Sequence, residues 1–244
     1  MGLARTLAVT LTGLAGHIVD VEAHATQGLP GFTLVGLPDA AVRESRERVR
    51  AALSTCGVTW GEQRLTVNLS PADLRKTGTG LDLALALAVL GARGRLGRSA
   101  AGALGRTVYI GELGLDGSVH SVRGILPSVQ AAVAAGVGEI VVGQEAAAEA
   151  ELVPDARVSA ISHIGQLVER YGGRLSEGVA AAVEQISEAG RDAPAVLARD
   201  DEPPDLADVV GQTEARQALE VAAAGGHHLI MVGPPGTGKT MLAE

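Results

Sequence analysis

The sequence predicts an α+β domain followed by the beginning of an α/β domain. Strand and helix signals alternate over residues 1–175, and a glycine-rich loop follows a short apolar run within 206–244. Between them, residues 176–205 are acidic and contain Pro203 and Pro204. We therefore predict a first domain at 1–175, an extended or poorly packed linker at 176–205 and the start of a second domain at 206–244.

The strands of the first domain are predicted from short apolar or alternating segments. Residues 17–25 (HIVDVEAHA) alternate apolar and polar side chains, as a half-buried strand does. The segments 108–110 and 118–122 flank LDG, which is typical of a hairpin turn. We expect a mixed, mostly antiparallel sheet with helices on one side. The predicted strands are 6–12, 17–25, 32–35, 64–69, 108–110, 118–122, 139–142 and 158–161.

Four helices are predicted in the same domain. Asp39 is a good N-cap for a helix that ends near Thr55. Residues 81–90 are apolar on nearly every side, which predicts a buried helix. A third helix, 125–135, ends before Gly136, and a fourth ends near Tyr171.

Composition restricts the class of protein. Hydrophobic residues make up 46% of the 244-residue chain but aromatic residues only 2%, so an aliphatic core is expected. Cys56 is the single cysteine, which excludes an internal disulfide and suits a reducing cytoplasm. No apolar run approaches the ~18–20 residues that span a bilayer, so we expect a cytoplasmic protein without a membrane partner. The net charge of −8 argues against a uniformly basic surface for nucleic acid.

The strongest motif lies in GPPGTGKTMLAE, residues 233–244. Gly233, Gly238, Lys239 and Thr240 match G-x-x-x-x-G-K-[ST]. Glycines let the backbone N–H groups turn toward a phosphate, the lysine reaches the terminal phosphates, and the threonine hydroxyl is a ligand for Mg²⁺. The preceding apolar run, 228–232 (HLIMV), predicts a buried parallel strand that leads into the loop. The sequence therefore predicts a nucleotide site.

Four longer segments resemble the ComM/YifB family of magnesium-chelatase-like AAA+ ATPases. They are VGLPDAAVRESRERVRAAL, VNLSPADLRKTGTGLDLALALAVL, GELGLDGSVHSVRGILP and VVGQTEARQALEVAAAGGHHLIMVGPPGTGKTMLAE. The resemblance implies a Lon-protease-like domain of the ribosomal-protein type, followed by a P-loop AAA+ module. It also implies a homohexamer that hydrolyses ATP with Mg²⁺. Family members act on DNA as helicases that promote branch migration in recombination and natural transformation.

The resemblance extends the candidate site beyond the motif itself. The VVGQ segment resembles the adenine-side segment of the family, and Thr240 is the expected Mg²⁺ ligand. We assign no catalytic residue, since the acidic strand and the arginine finger of such ATPases would follow Glu244. We therefore expect the chain to be the front part of a longer protein. The candidate ATP-binding residues are Val210, Gly211, Gly233, Pro234, Pro235, Gly236, Thr237, Gly238, Lys239, Thr240 and Met241.

A Lon-like fold raises the hypothesis of a protease, and the sequence argues against it. The Lon active site is a serine activated by a lysine some forty residues later, because a serine hydroxyl alone is a weak nucleophile. Gly80 stands where the nucleophile would be, and Leu126 stands near the place of the base. The chain has two lysines, Lys76 and Lys239. We expect a binding or assembly domain.

Other candidates are weaker. His227 and His228 are neighbours on an expected strand, so their side chains would point to opposite faces and chelate one metal poorly. Arg43, Arg46 and Arg50 share a helix face that phosphates could contact, but interleaved glutamates are more typical of a solvated face. Two alternatives to the motor stay open: a non-enzymatic oligomerisation or DNA-binding module with a vestigial P-loop, and an ATPase subunit of the magnesium-chelatase type.

Overall fold

The computed structural model divides the chain into two compact units, Met1–Ala195 and Val196–Glu244. It describes residues 2–58, 60, 63–97, 99–175, 177–192, 206, 209, 211–234, 237–239 and 242. The division falls inside the segment 176–205, and the domain bounds inferred from the sequence stay predictions.

The first unit contains a seven-stranded sheet and a separate two-stranded one. The strands of the large sheet are β1 (Gly2–Thr12), β2 (Ala15–Gln27), β3 (Gly31–Val35), β4 (Gln63–Ser70), β5 (Thr107–Ile110), β8 (Glu139–Gly143) and β9 (Val158–Ile161). The small sheet pairs β6 (Glu112–Leu113) with β7 (Val119–His120). These nine strands cover every predicted strand of the first domain except most of 118–122.

The large sheet has the order β3-β4-β2-β1-β5-β8-β9. β2 is antiparallel to β1 and to β4, whereas the other four neighbouring pairs are parallel. The expectation of a mostly antiparallel sheet is therefore wrong. The physical reason is that helices connect β3 to β4 and β5 to β8, and such a crossover returns the chain in the same direction.

The helices of the first unit include the four predicted ones and three others. The predicted ones are α1 (Ala40–Thr55), α2 (Asp82–Ala92), α4 (Ile125–Ala134) and α6 (Ile164–Arg170), and the others are α3 (Ala100–Leu104), α5 (Ala147–Ala150) and α7 (Glu177–Asp192). A 3₁₀ turn, Gln144–Ala146, precedes α5. The Asp39 cap is confirmed, since its Oδ1 accepts a hydrogen bond from the N–H of Val42 at 2.8 Å.

Helices cover both faces of the sheet, so the expectation of helices on one side is wrong. Along β1, Ala4 and Ala8 belong to the core that contains α1 and α2, whereas Leu7 and Val9 belong to the core that contains α4. Successive side chains of one strand point to opposite faces of the sheet. Because β1 has apolar residues on both faces, each face needs a layer of helices to cover it. The sheet is the middle layer of this unit.

The predicted hairpin around LDG exists, but its strands differ from those expected. β6 pairs with β7 across the turn, while β5 joins the large sheet beside β1 and β8. Gly111 separates β5 from β6, and an added Cβ there would lie 2.8 Å from Val119 Cγ1. The chain therefore leaves the large sheet at this glycine and forms a separate ribbon.

α7 lies where the sequence predicts an extended or poorly packed linker, and these 16 residues are helical rather than extended. Val183 of α7 is buried, and its Cγ2 lies 2.5 Å from where a Cβ on Gly165 would be. Because Gly165 has no side chain, α7 can approach α6 closely. α7 thereby makes an apolar contact that its acidic composition did not lead us to expect. The rest of the predicted linker lies outside the described residues.

The second unit contains α8 (Thr213–Gly225), and the segment 228–232 that follows it is not a strand. Ile230 and Val232 are 86% and 89% exposed. The predicted buried strand is therefore wrong for this chain. A strand needs a neighbour for its backbone N–H and C=O groups, and among the described residues of this unit no strand pairs with it.

Candidate nucleotide site

The structure describes about half of the candidate site residues. Gly211, Gly233, Pro234, Thr237, Gly238 and Lys239 are described, whereas Val210, Pro235, Gly236, Thr240 and Met241 lie outside the described residues. The described residues come from two segments, one before α8 and one after the exposed run 228–232. The structure brings these segments together.

Lys239 points its ammonium group into its own loop. Its Nζ donates hydrogen bonds to the carbonyl oxygen of Pro234 at 2.7 Å and to Thr237 Oγ1 at 3.2 Å. The Thr237 hydroxyl donates to the same Pro234 carbonyl at 3.0 Å. The cation, the hydroxyl and the carbonyl thus form a compact cluster at the first half of the loop.

The glycines of the motif have distinct local roles. Gly238 adopts φ +78°, a left-handed conformation that L side chains rarely adopt. Its carbonyl accepts from the N–H of Leu242 at 3.1 Å, which is the first turn of a helix after the loop. At Gly233 an added Cβ would lie 3.5 Å from Thr237 Oγ1 and 4.0 Å from Lys239 Cδ. A side chain at Gly233 would therefore make only ordinary van der Waals contacts with Thr237 and Lys239.

Gln212 joins the two segments of the site. It caps α8 with φ +52°, and its Nε2 donates to the carbonyl oxygen of Thr237 at 3.1 Å. Gly211 beside it also has a positive φ, +79°. Gly211 was predicted from the sequence as a site residue, but Gln212 was not. Gln212 is the last residue of the VVGQ tetrapeptide, so the family resemblance could have indicated it. Arg216 Nη1 donates to the Val209 carbonyl at 3.2 Å and anchors the start of α8.

The arginines of α1 are already engaged with protein groups. Arg43 Nη1 donates to the Pro38 carbonyl at 2.8 Å, and Arg46 pairs with Glu47 at 2.9 Å. Arg50 lies over the ring of Trp60 at 5.9 Å. This arrangement agrees with the solvated-face interpretation.

Among the described residues no group of His, Cys, Asp and Glu could hold a metal ion. The helices of the described part of the chain also include none with the length and apolar character of a membrane span.

The two positions considered for a protease differ in their surroundings. Gly80 lines a cavity of the first unit, but Leu126 is not among the residues that line it. Lys76 is completely buried, and its Nζ donates to the carbonyls of Pro71 and Leu74. Burial lowers the pKa of Lys76. The cavity wall contains two serines that the sequence analysis did not single out, Ser121 and Ser128.

Family models match both units of the chain. One described as subunit ChlI of Mg-chelatase matches residues 21–146, and one described as magnesium chelatase, subunit ChlI, matches 205–244. The competence protein ComM of Haemophilus influenzae is 38% identical over the whole chain. The chain belongs to the ComM/YifB magnesium-chelatase-like family. An uncharacterized protein of Mycobacterium tuberculosis is 48% identical over all 244 residues.

The chain spans about half the length of the curated relatives it matches, 46% in the case of ComM. A weaker similarity, 29% identity over 159 residues, links 63% of the chain to 20% of the Lon protease of Mycolicibacterium smegmatis. The fold described above is a mixed α/β fold with a largely parallel sheet. The specific Lon-like assignment of the first domain remains a prediction.

Proposed function

We propose that this chain is the N-terminal part of an ATP-driven motor that acts on DNA. The observation that supports it is the cluster of Lys239, Thr237 and Pro234 in a phosphate-binding motif, in a chain similar to ComM from end to end. The proposed motor is a cytoplasmic homohexamer that hydrolyses ATP. Its proposed role is that of a helicase promoting branch migration during recombination or natural transformation.

The donor set of the loop fits a nucleotide triphosphate. Lys239 would exchange its contacts with Pro234 and Thr237 for the β- and γ-phosphates, which are stronger acceptors because they are charged. Gly238 would leave the backbone N–H groups accessible because it has no side chain. Bound Mg²⁺, held in part by Thr240, would neutralise phosphate charge.

Gln212 gives the loop a connection to the adenine side of the site. Its hydrogen bond to Thr237 fixes the distance between α8 and the phosphate loop. We therefore infer that Gly211 and Val210 contact the base or ribose while Lys239 contacts the phosphates. The side chain of Gln212 is a positioning group in this proposal, since it acts through Thr237.

A second candidate is an ATPase subunit of the magnesium-chelatase type. It is favoured by the descriptions of both matching family models. A third, the non-enzymatic oligomerisation or DNA-binding module, retains the P-loop without turnover. The three candidates differ in whether ATP is hydrolysed and whether DNA changes the rate.

The deciding experiment measures ATP hydrolysis by the full-length protein with and without branched DNA. Lys239→Ala is expected to weaken nucleotide binding about ten- to a hundredfold, through the loss of a charge-assisted contact of ~1.5–3 kcal/mol, and to abolish turnover. Arg106→Ala, an exposed cation of the first unit, is the matched control and should leave turnover unchanged. Turnover that DNA does not stimulate would favour the chelatase type. An active Lys239→Ala variant would contradict the proposal.

A further inference from the structure

A cavity of about 480 Å³ lies in the first unit, well separated in sequence from the phosphate loop. Its walls come from the carboxyl ends of β1 and β5, the loop before α2, and the segment that enters α4. This volume is within the ~300–1,000 Å³ of small-molecule sites. Its lining residues include Val9, Leu11, Ile110, Glu112, Arg123 and Ser128.

The cavity lies where the chain leaves two parallel strands in opposite directions. After β1 the chain turns to β2 on one side, and after β5 it proceeds through α4 to β8 on the other side. Loops that diverge in this way leave a crevice beyond the carboxyl ends of the strands, which is where α/β sheets commonly bind ligands. The topology therefore produces the cavity.

Polar groups on the wall remain available to a ligand. Glu112 Oε2 accepts from the Thr79 hydroxyl at 2.5 Å, while Oε1 has no hydrogen bond among the described residues. Ser128 is 5% exposed, and its hydroxyl likewise has no partner in the described part of the chain. Arg123 is exposed and its guanidinium makes no ion pair with a described residue. A charged group that has no protein partner can form a charge-assisted hydrogen bond with a ligand of opposite charge.

The backbone N–H groups near the entrance to α4 are already used. The N–H of Leu126 donates to Glu149 Oε1 at 2.9 Å, and that of Ser121 donates to Glu145 Oε2 at 3.3 Å. These two N–H groups are therefore not available to a ligand, whereas the side chains of Glu112 and Arg123 are. One acid and one base line the cavity, and the rest of the wall is hydroxyl or aliphatic.

We propose that this cavity binds a small zwitterion with an aliphatic middle, of the size of a short peptide. Its ammonium group would bind Glu112 and its carboxylate Arg123, with Ser128 donating to a carbonyl and Val9, Leu11 and Ile110 contacting the aliphatic part. This site is independent of the proposed ATPase activity.

The experiment titrates the 244-residue chain calorimetrically with the tripeptide Ala-Leu-Ala bearing free termini. Binding with Kd in the millimolar range or tighter is expected. N-acetylation of the tripeptide and amidation of its C-terminus should each weaken binding about tenfold or more, because each removes one charge-assisted contact. Absence of heat up to about 10 mM tripeptide would overturn the proposal.

Two variants test which charged residue of the cavity binds which end of the peptide. Glu112→Gln should weaken binding of the free tripeptide about tenfold and leave the affinity for the N-acetylated peptide unchanged. Arg123→Gln should also weaken binding of the free tripeptide about tenfold, and it should leave the affinity for the amidated peptide unchanged. Glu169→Gln and Arg106→Gln, exposed groups elsewhere on the first unit, are the matched controls and should bind as the parent does. Equal affinity of all variants for all three peptides would also overturn the proposal. The chemical changes to the peptide test it even if a variant fails to fold.

Discussion

The two lysines of the chain show how surroundings decide the role of a residue. Lys239 is half-buried at the end of a glycine-rich loop, and its ammonium contacts a carbonyl and a hydroxyl that a phosphate could replace. Lys76 is buried against two carbonyls, with its backbone paired to Leu37 and Asp39. Burial favours the neutral amine, which is why the pKa of Lys76 is lowered. The motif distinguishes Lys239 in the sequence, whereas the burial of Lys76 is seen only in the structure.

Cys56 provides a test at the same scale. It is 2% exposed, and burial raises the pKa of its thiol to about 11. At pH 8 only about one thiol in a thousand would be ionised, and the thiolate is the reactive form. We expect reaction with a disulfide reagent to be at least roughly a hundredfold slower in the folded chain than in denaturant. Equal rates in the two conditions would show that the thiol is accessible.

At the scale of elements, one buried ion pair joins α1, α2 and β6. Asp82 is completely buried and accepts hydrogen bonds from Arg48 Nε at 2.6 Å and Nη2 at 3.1 Å, and from the N–H of Leu113 at 3.2 Å. The hydrogen bond to Asp82 raises the pKa of Arg48. Burial raises the pKa of Asp82, and the hydrogen bonds that it accepts oppose that shift. The pair links residues 34 apart in the sequence.

Removing Arg48 should therefore destabilise the first unit strongly. Arg48→Met leaves a buried carboxylate without its cation, and such changes cost about 3–5 kcal/mol. Unfolding in urea is followed by the fluorescence of Trp60, the single tryptophan, whose Nε1 donates to the Arg50 carbonyl of α1 at 3.1 Å.

The matched control is Arg46→Met on the same helix. Arg46 pairs with Glu47 at the surface, where both side chains are about half exposed. Exposed pairs contribute about 0–1 kcal/mol, so this variant should unfold near the parent's midpoint. If both variants lost the same stability, the buried pair would not have the role described here.

For the whole molecule, the division into units predicts where proteases cut first. The division between the units falls within 193–205, and Arg199 is the one basic residue of that segment. We expect trypsin to cleave first after Arg199 and to leave the first unit intact, as measured by mass spectrometry of the early fragments. First cleavage inside 63–140 would contradict the proposed boundary.

The chain should also lack peptidase activity. Gly80 offers no nucleophile, Lys76 is buried against carbonyls, and no lysine lines the cavity of the first unit. A serine in that cavity would have no amine to accept its proton. We expect no cleavage of unfolded casein and no stoichiometric labelling by a fluorophosphonate probe. Labelling of Ser121 or Ser128 by such a probe would show this reasoning to be wrong.

Local features were determined by the sequence itself. The glycine-rich loop, the Asp39 cap and the buried α2 follow from short patterns, because turns, caps and a continuous apolar run depend on residues a few positions apart. The family was also evident from contiguous motifs and is confirmed by the comparisons.

Long-range pairing was decided only by the tertiary structure. The parallel contact of β1 with β5, the Arg48–Asp82 pair and the cavity join segments far apart in the chain, and no local pattern specifies which segment is the neighbour. The run 228–232 is a second example in which the local pattern does not specify the neighbouring strand. Its apolar pattern is that of a buried strand, but a strand forms only where a neighbour accepts its hydrogen bonds. A local sequence pattern depends on residues that are neighbours in the chain. The pairing of a strand depends on which other segments the fold places beside it.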